Sequence, residues 1–193
     1  MSRRNIPNLL TLLRIVLIPL IIFLHYLGTP IAAASSGAIF LLASFTDLLD
    51  GYYARKYKIV TEIGAILDLL ADKLLVSCCL IWLSYQLHNI EIVISTILII
   101  SREIVISVLR QYALKLDNNN SLKVNYLGKT KTFVQMISII ILLLVDEYSN
   151  FFPLIKEVGI VLILFSCLLS LLSLAVYVTN FIKALPKGFK FFF

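Results

Sequence analysis

The sequence predicts an all-α integral membrane protein with six transmembrane helices, and three observations carry that expectation. The 193 residues are 60% hydrophobic, with a mean hydropathy of +0.97, more apolar than a soluble domain of this length. The apolar residues gather in runs that approach the roughly 20 residues needed to span a bilayer. Polar turns divide the runs, and the basic residues collect in alternate turns. One polytopic domain, 1–193, is expected. It comprises a short segment 1–7, six spans over about 8–182 and a basic tail 183–193, with no soluble second domain, internal repeat or low-complexity linker.

The first span is expected from Asn8 to Leu27, with Gly28-Thr29-Pro30 as its outer turn. Arg3 and Arg4 before an apolar run, and Ala32 to Ser35 after it, also fit a signal peptide. Arg14 interrupts that apolar core, however, and the run leads into another apolar helix rather than a soluble start. The second helix runs from about Ile31 to Tyr53, and its small residues Ala32 to Ala38 suit close helix packing. Gly51 and the charged run Ala54 to Lys58 are expected to end it. The third runs from about Glu62 to Gln86 and the fourth from about Ile90 to Leu116. Asp117 to Tyr126 is a polar segment. The fifth helix runs from about Lys129 to Val145, Asp146 to Pro153 is a polar turn, and the sixth runs from about Glu157 to Ile182.

Six spans put both termini on one side. Arg3, Arg4, Arg55, Lys56, Lys58, Lys115, Lys123, Lys129, Lys183, Lys187 and Lys190 fall there. The opposite turns hold Lys156 against Glu91, Asp146, Glu147 and Glu157. The positive-inside rule therefore puts the termini in the cytoplasm. The formal charge of +6 is thus read as membrane anchoring, and no nucleic-acid partner is expected. Cys78, Cys79 and Cys167 lie in apolar runs without metal-ligand spacing and read as packing residues. His25 and His88 receive no role.

Arg14, Lys73, Arg102 and Glu103 lie inside apolar runs. A charge at bilayer depth needs a partner or a water-filled cavity. For Arg14, Lys73 and Glu103, internal ion pairing and a functional role both remain open. Arg102 is read as functional, because Arg110, Lys129 and Lys131 share its cytoplasmic half. Arg102 and Arg110, eight apart on one helix, fall near one face. With Lys129 and Lys131 they form a candidate basic pocket for a phosphate monoester, although plain anchoring also explains the two lysines.

The most informative stretch is Asp47 to Asp72, which reads D-x2-D-G-x2-A-R-x8-G-x3-D-x3-D. Asp47 and Asp50 share a helix face, as do Asp68 and Asp72. The two pairs fall on neighbouring antiparallel helices near the ends that face the cytoplasm. Four converging carboxylates suit hard divalent cations such as Mg2+ or Mn2+.

This stretch resembles the signature of the CDP-alcohol phosphatidyltransferases, matching it at Asp47, Asp50, Gly51, Ala54, Arg55, Gly64, Asp68 and Asp72. Eight typed positions at fixed spacing make a specific signal. One neighbour departs: the family often has Pro directly after the third Asp, where this chain has Leu69, outside the signature. The resemblance implies the family's six-helix fold and a homodimer. It also implies two divalent cations, with Asp47 and Asp68 bridging both, Asp50 completing one site and Asp72 the other. Asp72 is by the same resemblance the general base. Asn8, Thr11, Gly51, Ala54, Arg55, Thr61 and Gly64 would form the CDP-lipid site, Gly51 letting the nucleotide approach the backbone.

The reaction so implied is attack of an alcohol on a CDP-linked lipid, with CMP leaving. Three further segments, Asn5 to Arg14, Ser101 to Arg110 and Leu127 to Gln135, look like the phosphatidylglycerophosphate synthase branch of that family. The implied substrates are then CDP-diacylglycerol and glycerol 3-phosphate, at the cytoplasmic face of a bacterial-type inner membrane. The first segment also resembles cardiolipin synthases, which are the alternative. An ion transporter fits less well, because the four Asp cluster near one side and no acid continues a path outward before Glu91.

Overall fold

The computed structural model describes residues 6–57, 62–115, 126–145 and 153–184. The side chains of 6–10, 47–57, 62–63, 65, 114–115, 126–127 and 184 are not part of that description. Among the described residues the chain forms six helices and no strand: α1 Ile6–Tyr26, α2 Pro30–Tyr57, α3 Glu62–Gln86, α4 Ile90–Lys115, α5 Tyr126–Leu144 and α6 Pro153–Ala184.

Local chemistry explains where several of these begin and end. Gly28 adopts φ 62° just past α1, the left-handed position that glycine tolerates best. Thr29 then caps α2, its Oγ1 accepting from the Ala32 amide at 3.3 Å, with Pro30 at the first helical position. Asn89 does the same for α4, its Oδ1 accepting from the Glu91 amide at 2.7 Å.

The expected ends of α3 hold. The second helix does not stop at Tyr53, nor does Gly51 end it: α2 continues through Gly51 to Tyr57. One internal glycine costs only about 1 kcal/mol against alanine, and the Ala, Arg and Lys that follow are strong helix formers. The fifth and sixth helices each start a few residues before their expected first residue, at Tyr126 and Pro153. Proline suits the first turn of a helix, where its missing N–H has no partner to lose.

The main helix–helix interfaces close a ring in the order α1, α2, α5, α6, α4, α3 and back to α1, with α3 also touching α5 across the middle. Small residues set the closest approaches. Ala32, Ala33, Ser36 and Gly37 turn inward from α2, and Ser36 Oγ donates to the Leu143 carbonyl of α5 at 3.4 Å. A Cβ on Gly37 would meet Leu144 at 2.8 Å, and one on Gly159 would meet Leu142 at 2.6 Å. At that second approach Ser138 Oγ donates to the Gly159 carbonyl at 2.7 Å.

Polarity is distributed in an unusual way. Ser95, Thr96, Arg102, Lys131, Gln135, Ser138, Ser166, Ser170 and Ser173 are buried among the core apolar residues, while Val16, Ile31, Phe133 and many other large apolar side chains are exposed. Two helical stretches, Ile90–Ala113 and Pro153–Lys183, are long and apolar enough to cross a membrane. Thr11–Tyr26 and Pro30–Thr46 are shorter apolar stretches.

Candidate active site

Asp68 and Asp72 lie one turn apart on α3, so both carboxylates leave the helix on one face. That face meets α1 at Arg14, which is only 1% exposed. Arg14 Nη1 donates to Asp72 Oδ1 at 2.9 Å and to Asp68 Oδ1 at 3.3 Å. One oxygen from each carboxylate thus converges on a single cationic nitrogen. Thr11, one turn before Arg14, is also buried, and Gly64 lies one turn before Asp68.

The remaining signature positions stand on helical backbone at the end of α2. Ser44 of α2 and Asp72 of α3 line the same cavity, and positions 47 and 50 follow within the next two turns of α2; the two helices expected to be packed neighbours instead stand on either side of α1 in the ring. The side chains of Asn8, Asp47, Asp50, Gly51, Ala54 and Arg55 lie outside the described set, as does Thr61 altogether. Among the described side chains no cluster of three metal-type donors occurs. What is described fits a divalent cation in kind: two carboxylates already sharing one positive charge, with oxygen donors only.

The cavity has a volume of about 190 Å³. Ser44, Asp72, Lys73, Glu103 and Gln135 provide polar lining, and Leu69, Leu75, Val76, Ile99 and Met136 the apolar part. Glu103 belongs to a charge cluster drawn from α3, α4 and α5, with the neutral Ser173 of α6 as a further partner. Glu103 Oε1 accepts from Arg102 Nη1 at 3.1 Å and from Lys131 Nζ. Arg102 Nη2 donates to Ser173 Oγ of α6 at 2.8 Å. Lys73 Nζ donates to the Glu103 backbone carbonyl at 3.4 Å. Lys131 is fully buried and Arg102 7% exposed. Two cations on the Glu103 carboxylate and a third on its backbone carbonyl leave a net positive cluster behind a cavity that Lys73, Glu103 and Asp72 line.

The basic residues expected to share a pocket are therefore divided. Arg102 and Lys131 come together inside the bundle, whereas Arg110 and Lys129 occupy exposed positions. Eight residues carry a helix about 80° past two full turns, which is enough to move Arg110 off the buried face. The sequence flagged Arg14, Lys73 and Glu103 only as charges needing partners, and the partners are those just described. Gln135 and Ser173 carried no such signal; they are uncharged and sit in helices that are otherwise apolar.

The family model described as CDP-alcohol phosphatidyltransferase matches residues 4–172. Three relatives carry the name CDP-diacylglycerol–glycerol-3-phosphate 3-phosphatidyltransferase. The protein from Rickettsia bellii is 44% identical over 146 residues, 76% of this chain and 78% of its own length. That from Wigglesworthia glossinidia brevipalpis is 39% identical over 175 residues, 91% of this chain and 93% of its own. That from Haemophilus influenzae is 37% identical over 173 residues, 90% of this chain and 91% of its own.

Proposed function

The chain belongs to the CDP-alcohol phosphatidyltransferase family, and from that premise we propose that it transfers the phosphatidyl group of CDP-diacylglycerol to glycerol 3-phosphate, releasing CMP in phospholipid biosynthesis. The observation that carries this is one cavity lined by both Asp72, which shares Arg14 with Asp68, and Glu103, which holds the buried cations Arg102 and Lys131. A dianionic phosphate monoester needs such cations; a neutral headgroup alcohol does not.

Asp47, Asp50, Asp68 and Asp72 would hold two divalent cations, Mg2+ or Mn2+, whose charge would offset the pyrophosphate of the lipid nucleotide and favour departure of CMP. Arg55, with Asn8, Thr11, Gly51, Ala54, Thr61 and Gly64 about it, would hold the nucleotide. Arg102 and Lys131 would bind the acceptor phosphate, with Arg110 and Lys129 nearer the entrance, and so aim the free hydroxyl at the lipid-side phosphorus. As the new O–P bond forms, the P–O bond to CMP breaks. The hydroxyl proton passes to an Asp72 carboxylate oxygen.

Six spans of a bacterial-type inner membrane complete the reading, with the acidic site facing the cytoplasm and the acyl chains left in the bilayer. Its support is an apolar exterior with charged and polar side chains buried inside, the helix lengths and the one-sided basic residues. A homodimer is part of the same proposal.

The test is CMP release by purified protein given CDP-diacylglycerol and a panel of acceptors. Release with glycerol 3-phosphate supports the assignment. Release with phosphatidylglycerol alone transfers the chain to the cardiolipin synthase branch.

A further inference from the structure

Gln135 is buried beside the cavity and takes no part in the transfer proposed above. It is 1% exposed, lines the cavity together with Asp72 and Glu103, and its Oε1 is buried with no hydrogen-bond partner. A buried amide oxygen left unpaired costs free energy that an apolar residue of the same shape would avoid. Its position on α5 is informative. Lys131, which faces Glu103, lies four residues earlier on the same helix face, about 6 Å away along the axis.

Glycerol 3-phosphate has the matching layout: a phosphate, a secondary hydroxyl next to it and a primary hydroxyl beyond. A phosphate drawn to the Arg102–Lys131 cations at Glu103 and a reacting primary hydroxyl at Asp72 would leave the secondary hydroxyl between them, in the cavity that Gln135 lines. We infer that the Gln135 side-chain amide hydrogen-bonds this spectator hydroxyl and so selects a 1,2-diol phosphate over an acceptor with a lone primary hydroxyl. The inference rests on the proposed acceptor and adds a contact that fixes its orientation. A site built around a hydroxyl rejects the analogue lacking it, because the protein group is then left buried and unpaired.

The experiment compares kcat/KM for glycerol 3-phosphate and for 3-hydroxypropyl phosphate, which lacks the secondary hydroxyl, in the wild-type enzyme and in Gln135→Leu. The wild type should prefer glycerol 3-phosphate by roughly tenfold to 10³-fold. Gln135→Leu should lose activity on glycerol 3-phosphate until the two acceptors agree within a few-fold, while the KM for CDP-diacylglycerol stays unchanged. Where the Leu variant does not survive purification, Gln135→Met, close to glutamine in length and unbranched, carries the same comparison. A wild type indifferent to the missing hydroxyl overturns the inference, as does a variant that discriminates as strongly as the wild type. If the wild type releases CMP with neither acceptor but does so with phosphatidylglycerol, the acceptor assignment itself fails and takes this contact with it.

Discussion

The Arg14 guanidinium of α1 lies 2.9 Å from the Asp72 carboxylate of α3. The same nitrogen reaches Asp68 at 3.3 Å, so one buried cation separates two carboxylates that would otherwise repel. Removing it as Arg14→Leu should destabilise the metal-free protein by about 1–3 kcal/mol, below the full value for a broken buried pair because both Asp side chains are 41% exposed. Added Mg2+ or Mn2+ should then raise the melting temperature of the variant more than that of the wild type. Equal metal-induced shifts in detergent would separate Arg14 from the metal site.

Asp72→Asn keeps the shape of the side chain but removes its charge and its basicity. Turnover should fall by about 10²- to 10⁴-fold, the range for losing a general base, while CDP-diacylglycerol still binds. Asp47→Asn should abolish both, since that residue is proposed to bridge two ions. Lipid-nucleotide binding lost equally in the two variants would make Asp72 chiefly a metal ligand.

The division of the basic residues gives a ranking. Arg102→Ala and Lys131→Ala should each raise the KM for glycerol 3-phosphate by at least about tenfold, as expected for a charge-assisted contact in a confined site. Arg110→Ala and Lys129→Ala, at exposed positions, should change it several-fold less, and none of the four should alter the KM for CDP-diacylglycerol to the same degree. Steady-state kinetics with each substrate varied in turn checks this; four equal effects would refute the inside–outside distinction.

Close packing at Gly159 predicts a compensating pair. Its Cβ position lies 2.6 Å from Leu142 and 3.3 Å from Ile141, so Gly159→Val should destabilise by about 1–3 kcal/mol through overpacking. Leu142→Ala makes room, and the double variant should be more stable than the sum of the two single losses implies. Strict additivity in thermal unfolding would mean that the α5–α6 contact yields without strain.

Topology is checked by cysteine labelling. Substitutions at Asn118 and Asn120 should react from the cytoplasmic side, and those at Tyr148 and Asn150 from the opposite side. Labelling of 118 and 150 from the same side breaks the six-span arrangement.

Six helices were legible because apolar runs and polar turns are local properties of the chain. So was the acidic signature, since its spacing alone puts each Asp pair on one helix face. What the sequence withheld depends on packing between distant segments. Arg14 and Asp72 are 58 residues apart, and nothing in either neighbourhood names the other. The ring order, in which α5 lies between α2 and α6, is equally invisible to periodicity, and it is what brings Lys131 to Glu103. Helix α2 ran past its expected end because a glycine and a charged run weaken a helix without stopping it.

The α1–α3 interface carries a second polar tie. Trp82 Nε1 donates to His25 Nδ1 at 3.0 Å, about three turns beyond Arg14 on α1 and about three turns beyond Asp72 on α3, or roughly 15 Å along each axis. Two ties at matched spacing act as a vernier. Sliding α3 by one full turn would still leave Arg14 an acid to pair with, because Asp68 and Asp72 stand one turn apart, but it would part Trp82 from His25, since no other described His stands on α1. The His25–Trp82 bond is thus the contact that fixes which turn of α3 faces Arg14.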